Sequence, residues 1–226
     1  MVNSTIENTD GIHFDEISGN WGGAAIDSTD VTKVIGTFTV PRPSPPPEGS
    51  SRIEYCGAAW VGIDGDRNCQ SGLIQTGIFW CVQGCETSYE AWYEYIPAAS
   101  IAYNGIDVSA GDSITVTVTR TSNTGGTTRL VNNSNGQSAT HTFSNQRQGT
   151  LCGNSAEWIV EDFESGGALV PFADFGTVTF TGATAVVGGS TVTAGGDSAM
   201  VIHLNQGNGD LTSTSISGTT LTVSYA

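Results

Sequence analysis

Ser113-Ile-Thr-Val-Thr-Val-Thr-Arg120 alternates polar and apolar side chains without a break. Alternation with a period of two turns successive side chains to opposite faces, so Ile114, Val116 and Val118 share one side of an extended strand. The same pattern recurs at 33–40, 53–63, 73–81, 89–96, 137–143, 176–180, 199–204 and 219–225. Turn signals separate the runs: Asn104-Gly, Ala110-Gly-Asp, Thr124-Gly-Gly, Asn135-Gly, Gly188-Gly, Gly195-Gly-Asp, Asn208-Gly-Asp and Ser217-Gly. No segment sustains a helical period. Roughly a dozen short strands are too many for one open sheet, so the expected fold is all-β, an antiparallel sandwich of two packed sheets.

The composition agrees. Thirty glycines and only two methionines in 226 residues belong to strands and turns, and this length suits a sandwich folded as one domain. The segment Val40-Pro-Arg-Pro-Ser-Pro-Pro-Pro-Glu-Gly-Ser-Ser holds five of the seven prolines and reads as a stiff polyproline-II loop. A boundary there would leave about 40 residues, too few to fold alone, so the loop lies inside the domain. No stretch approaches the ~18–20 apolar residues of a membrane-spanning helix. There are 22 acidic and seven basic side chains, Lys33 being the lone lysine, and the net charge of −15 excludes nucleic acid and anionic membranes as partners. At a pH near ~3 most carboxylates are neutral. A chain so poor in bases then stays nearly uncharged, which favours an acid habitat.

Cysteine usage points outside the cytosol. Five cysteines leave one unpaired within the chain, and Cys81 and Cys85, beside Gly84, can close a hairpin tip. No spacing suits zinc. Asn3-Ser-Thr and Asn132-Asn-Ser fit the glycosylation sequon. Met1 precedes a polar run rather than a signal peptide. We therefore expect a start codon placed before a mature form, with the secretion signal and a pro-segment removed. The expected location is extracellular and the expected state a monomer.

Most catalytic signatures are missing. His13, His141 and His203 lie outside any motif, and there is no GxSxG elbow. Asp64-Gly-Asp-Arg-Asn opens like a calcium loop, but Cys69 replaces the turn glycine and Gln75 the bidentate glutamate. No metal and no cofactor are expected. What remains is a set of carboxylates on strands. In Asn154–Glu164, Glu157, Ile159, Glu161 and Phe163 share one face, and Trp158, Val160 and Asp162 the other. Tyr89–Tyr95 likewise puts Glu90, Trp92 and Glu94 together. Faces bearing acids and tryptophan suit the floor of a wet groove that grips an extended substrate. A carbohydrate-binding or glycoside-hydrolysing sandwich is one reading. Glu157 and Glu161, however, stand about 13 Å apart along a strand, beyond the roughly 5–9.5 Å of a glycosidase pair, so such a pair would have to join Glu157 to Glu90 or Glu94 across strands.

Asn20-Trp-Gly-Gly-Ala, Ala59-Trp-Val-Gly-Ile-Asp-Gly-Asp, Leu73-Ile-Gln-Thr-Gly, Tyr89-Glu-Ala-Trp-Tyr-Glu and Ala156-Glu-Trp-Ile-Val-Glu-Asp-Phe together resemble the glutamic peptidases, or eqolisins, secreted acid endopeptidases known mainly from fungi. The resemblance runs from about Asn20 to the C-terminus, leaving 1–19 as an N-terminal extension of the single domain 1–226 and 41–52 as its Pro-rich loop. It implies a sandwich of the concanavalin A-like lectin and glucanase type, with one concave face as the cleft. It implies a catalytic dyad of Gln75 and Glu157, with Trp21, Trp60, Asp64, Glu90, Trp92 and Glu94 lining or supporting the cleft. It also suggests a disulfide between Cys69 and Cys152, leaving Cys81–Cys85 as a local bridge and Cys56 free. Departures from the family pattern fall at Glu90, Ile96 and the longer Pro-rich loop, and bear on subsites rather than the dyad.

The chemistry agrees with that implication. Hydrolysing a peptide bond with neither metal nor nucleophile takes a base for water, a donor for the oxyanion and an acid for the amine. One glutamate can serve as base and then acid. A glutamine amide donates without titrating. The segment Ile96–Ile106, with Ala98, Ala99, Ser100 and the Asn104-Gly turn, is the expected flap over the cleft.

Overall fold

The computed structural model describes residues 14–66, 69–196 and 198–226. Its strands run in chain order as β1 Phe14–Ser18, β2 Trp21–Asp27, β3 Val31–Thr39, β4 Glu54–Asp64, β5 Leu73–Gln83 and β6 Glu86–Ile96. Next come β7 Ile101–Ala102, β8 Ser113–Ser122, β9 Gly125–Asn132, β10 Ser138–Phe143, β11 Ser155–Glu161 and β12 Glu164–Ser165. The last are β13 Ala168–Leu169, β14 Thr177–Val187, β15 Ser190–Thr193, β16 Ala199–Leu204, β17 Thr212–Ser217 and β18 Thr220–Tyr225.

Two large sheets form. One has the order β1-β16-β2-β11-β4-β5-β6-β7, the other β10-β9-β8-β3-β14-β18-β17 with β15 beside β14. The expected all-β two-sheet sandwich is what is found, with β1 and β16 as a parallel pair in otherwise antiparallel large sheets. The described part of the N-terminal extension is thus the edge strand of the first sheet.

The apolar face of β8, Ile114, Val116 and Val118, is fully buried between the sheets. It packs in a core with Val34, Phe38 and Phe180 of the second sheet and Trp80, Trp158 and Val160 of the first. Trp158 ties the layers by donating its indole N–H to Ile35 O at 2.9 Å. The outer face of the first sheet carries a second apolar cluster, including Ala25, Ala58, Trp60, Trp92 and Ile159. A sheet apolar on both faces has a task on its outer one.

Three sequence expectations are corrected here. Cys81 bonds Cys56, not Cys85, and Cys85 is the exposed free thiol. The register explains it: Cys56 and Cys81 face each other across β4 and β5, while Gln83 pairs with Glu86 and leaves Cys85 in the hairpin turn. The Cys69–Cys152 bridge is present. Asn132 is fully buried, its amide donating to Asp107 O at 2.9 Å and Asp112 Oδ2 at 2.8 Å, so no glycan can be attached there. Asn3 lies outside the described residues. Within the 96–106 segment, expected as a flap, Ile101–Ala102 form β7, the edge strand beside β6.

Candidate active site

The outer face of the first sheet is organised in rows that cross the strands. One row reads Ala25, Glu157, Gly62, Gln75, Glu94 on β2, β11, β4, β5 and β6. Glu157 and Gln75 are therefore two strands apart, about 10 Å between Cα atoms. The residue between them has no side chain. A Cβ on Gly62 would meet Trp60 Cζ3 at 2.8 Å, Leu73 Cδ1 at 2.9 Å and Glu157 Oε2 at 3.3 Å. Glycine there leaves the space in which the two functional groups converge.

Glu157 is fully buried, and neither carboxyl oxygen has a hydrogen bond of normal geometry among the described residues. Burial pushes its pKa well above the ordinary glutamate range; Ser155 pulls it back somewhat, and Asp64, Asp66 and Asp27 push it further up. Gln75 is 4% exposed and donates its amide Nε2 to Glu94 Oε2 at 2.5 Å, a contact that fixes which end of the amide faces β6. Its Oε1 is buried without a hydrogen-bond partner among the described residues. Burial also raises the pKa of Glu94, against the pull of the Gln75 donor.

The next row is Gly23, Ile159, Trp60, Gly77, Trp92, and the third is Trp21, Glu161, Ala58, Phe79, Glu90. Gly77 lets Trp60 lie against β5, since a Cβ there would come within 2.6 Å of Trp60 Cβ. Glu161 is a clamp. It accepts the indole N–H of Trp60 at 2.8 Å and of Trp21 at 3.1 Å, and the amide of Asn20 at 3.0 Å. Burial lifts its pKa to about 7 against those donors. Asp162, on the other face, is buried too, accepts from Gln206 Nε2 at 2.7 Å, and is lifted by burial to about 6.

The structure thus brings Gln75, Glu157, Trp21, Trp60, Trp92 and Glu94 together, with exposed Glu90 at the far end. Asp64 supports the site from below. Fully buried at the end of β4, it accepts the backbone N–H of Gly153 at 2.9 Å and of Asn154 at 2.7 Å, anchoring the loop that feeds β11 and Glu157. Burial raises its pKa, and those same amides offset part of the rise.

A continuous groove passes from one row to the next. A cavity walled by β1, Trp21 and Leu73 meets a second at Gln75, Ile96 and Glu161; the second meets a third at Phe79 and Phe163. Ile96, singled out in the sequence as bearing on subsites, does line the groove. Phe79 and the clamping roles of Asn20 and Glu161 were not legible in the sequence, because each depends on a neighbour from a distant strand. Among the described residues Glu54, Cys56 and Cys81 cluster as metal donors would, but both sulfurs are bound in the disulfide.

Comparison with known proteins agrees with this geometry. The Peptidase A4 family matches residues 19–225. Aspergillopepsin-2 of Aspergillus niger is 48% identical over 225 residues, 93% of this chain and 79% of that protein. Scytalidopepsin B of Scytalidium lignicola is 42% identical over 216 residues, 92% and 78% of the two chains. Scytalido-glutamic peptidase, solved with a transition-state analog inhibitor, superposes with a TM-score of 0.83 at 41% identity, covering 92% of this chain and 99% of that one. Aspergilloglutamic peptidase from Aspergillus niger gives 0.72 at 51% identity over 76% and 99%. With a family match spanning nearly the whole described chain, and the sandwich and cleft in place, this chain belongs to the Peptidase A4 family.

Proposed function

We propose that this protein is a secreted, monomeric acid endopeptidase that cuts peptide bonds in proteins with Gln75 and Glu157, needs no cofactor and is insensitive to pepstatin. The observation that carries the reading is the single row Glu157–Gly62–Gln75, which runs from the buried Glu157 to Gln75 in the wall of the groove. The scissile carbonyl sits over Gly62, with a water between it and Glu157. Glu157 accepts the proton of the attacking water and then protonates the departing nitrogen, base and acid in turn. One Gln75 N–H is held by Glu94, and the second is the donor for the tetrahedral oxyanion. Trp21, Trp60, Trp92, Glu90 and Glu94 line the substrate path, and Asp64 holds Glu157 in place. One domain spans the chain, preceded by a pro-segment that is removed.

Burial adds a condition. With a raised pKa, Glu157 starts protonated at acid pH, so its O–H passes its proton to the scissile carbonyl oxygen beside Gln75 as its other oxygen takes the water's proton. The proton so regained goes to the departing nitrogen while the carboxyl recovers one from the collapsing diol. Activity is then highest at acid pH and falls as pH rises through that pKa. Digestion of an unfolded protein across roughly pH 2–8, a span that brackets the carboxyl reference values, with pepstatin present, tests the reading. Cleavage at acid pH that disappears in Glu157→Gln supports it. Activity that climbs steadily toward neutral pH, or survives in that variant, contradicts it, and polysaccharides then become the substrates to try.

A further inference from the structure

The third cavity lies beyond the dyad. It has a volume of about 300 Å³ and is walled by Phe79 and Phe163, with Ser88, Glu90 and Cys81 at its far end. Phe79 is half-buried on the groove face of β5, in the row next but one to Gln75. It stacks flat on Trp92, with ring centroids 4.5 Å apart and planes 11° apart, and Trp92 itself is 1% exposed. Phe163 leans on the same ring at 4.7 Å from the segment after β11. The Cys56–Cys81 disulfide closes the end, since Cys81 and Phe79 share a face of β5. An aromatic ring fully buried beneath another that remains half open describes a shelf built to receive something apolar.

We propose that this shelf is a distal subsite that selects a large apolar or aromatic substrate side chain, and that Phe79 is its specificity-determining residue. The proposal rests on the peptidase reading above and names where along the substrate the selection falls. Gln75 and Phe79 are four residues apart on one strand, about 13 Å. An extended peptide covers that distance in about four residues, with side chains alternating. The selected side chain therefore lies about four residues from the cleaved bond, on one side of it only. The carboxylate of Glu90 stands exposed at the rim, whereas the shelf itself is made of the two phenyl rings of Phe79 and Phe163. The shelf therefore reads bulk and flatness rather than positive charge. Apolar pockets discriminate by roughly 10–200-fold, and a shelf open on one side belongs near the lower end.

The test is a set of quenched-fluorescence peptides about twelve residues long, the length needed to span four residues either side of the bond. Each position three to five residues from the bond is varied, on both sides, among Ala, Leu, Phe and Lys, at acid pH. The reading is the ratio of kcat/KM between the Phe and Ala peptides within one enzyme preparation, which is independent of how much of a variant folds. The expected wild-type ratio is about tenfold at one such position, carried mainly by KM. It collapses to about one in Phe79→Ala and returns in Phe79→Trp. A ratio near one at every position in an enzyme that cleaves the peptides overturns the subsite while leaving the peptidase reading intact. A preference for Lys over Phe overturns it too. No cleavage of any peptide by the wild type sinks the peptidase reading instead.

Discussion

At the scale of single residues, Glu157 and Glu161 show what decides between two carboxylates on one strand face. Both are glutamates on the outer face of the first sheet, four positions apart on β11. Their cross-strand neighbours differ. Glu157 stands between Ala25 and Gly62, and among the described residues no donor meets its oxygens at normal hydrogen-bond geometry, whereas Glu161 is surrounded by Trp60, Trp21 and Asn20 and holds all three. The first is free to exchange protons and the second is occupied. Sequence alternation puts both on one face and cannot say which strand lies alongside; the family motif made that choice. The same geometry makes Gly62 critical. In Gly62→Ala the new Cβ must displace Leu73 or the clamped Trp60 ring and crowds Glu157 Oε2. Overpacking of this kind costs about 1–3 kcal/mol. We expect kcat to fall at least about tenfold, the 1.4 kcal/mol equivalent, with secondary structure by circular dichroism unchanged. Steady-state kinetics at acid pH checks it, and wild-type kcat in this variant would show that the space over Gly62 is not used.

At the scale of elements, most of the fold was legible, and the exceptions have causes. β8, β5, β6 and β16 bury one face more than the other or run as apolar stretches, which period-two reading finds. β2 is Trp-Gly-Gly-Ala-Ala-Ile-Asp and shows no alternation, because it is buried on both faces and pressed against β11. A Cβ on Gly23 would lie 2.2 Å from Trp158 O, at a φ of 145°. Thr124-Gly-Gly reads as a turn, yet Gly125 and Gly126 open β9, and a Cβ on Gly126 would meet Thr119 O at 2.5 Å. β17, Thr-Ser-Thr-Ser-Ile-Ser, is too polar to be seen. Register also decided the cysteines, since spacing cannot say that Cys56 faces Cys81. Non-reducing peptide mapping should find Cys56 joined to Cys81, Cys69 joined to Cys152, and one alkylatable thiol at Cys85. The bridges close separations of 25 and 83 residues, for which chain entropy gives about 3.5 and about 4.5 kcal/mol. Denaturant unfolding should therefore rank Cys152→Ser as more destabilised than Cys81→Ser, with Cys85→Ser near wild type. A thiol at Cys56 in the oxidised protein would contradict the assigned pairing.

At the scale of the whole molecule, the acidic composition and the buried carboxyls point the same way. Glu157, Glu161, Asp162, Asp64 and Glu94 all have pKa values raised by burial. A group that holds its proton more tightly folded than unfolded stabilises the fold fully below its unfolded pKa. That contribution is lost as pH rises through the folded value. The window is set by Asp162, from 3.8 to about 6, and Glu161, from 4.5 to about 7. With a net charge of −15 at neutral pH adding self-repulsion, the melting temperature should fall by on the order of 10 °C between pH ~4 and ~7. Calorimetry across that range checks the sign, and a protein more stable at pH ~7 than at ~4 would mean that these carboxyls are ionised in the fold. Stability in acid and the proposed acid chemistry would then share one cause, the raised pKa values that burial gives these carboxyls. The central claim is the dyad, and the most direct measurement is a double-mutant cycle on one defined peptide at acid pH with wild type, Glu157→Gln, Gln75→Ala and the double variant. Loss of acid–base catalysis is worth about 10²–10⁴ in kcat and loss of an oxyanion donor about 10²–10³. Because the two groups act on one transition state, the double variant should be little worse than Glu157→Gln alone. Near-wild-type kcat in either single variant, with the fold intact, would contradict the account.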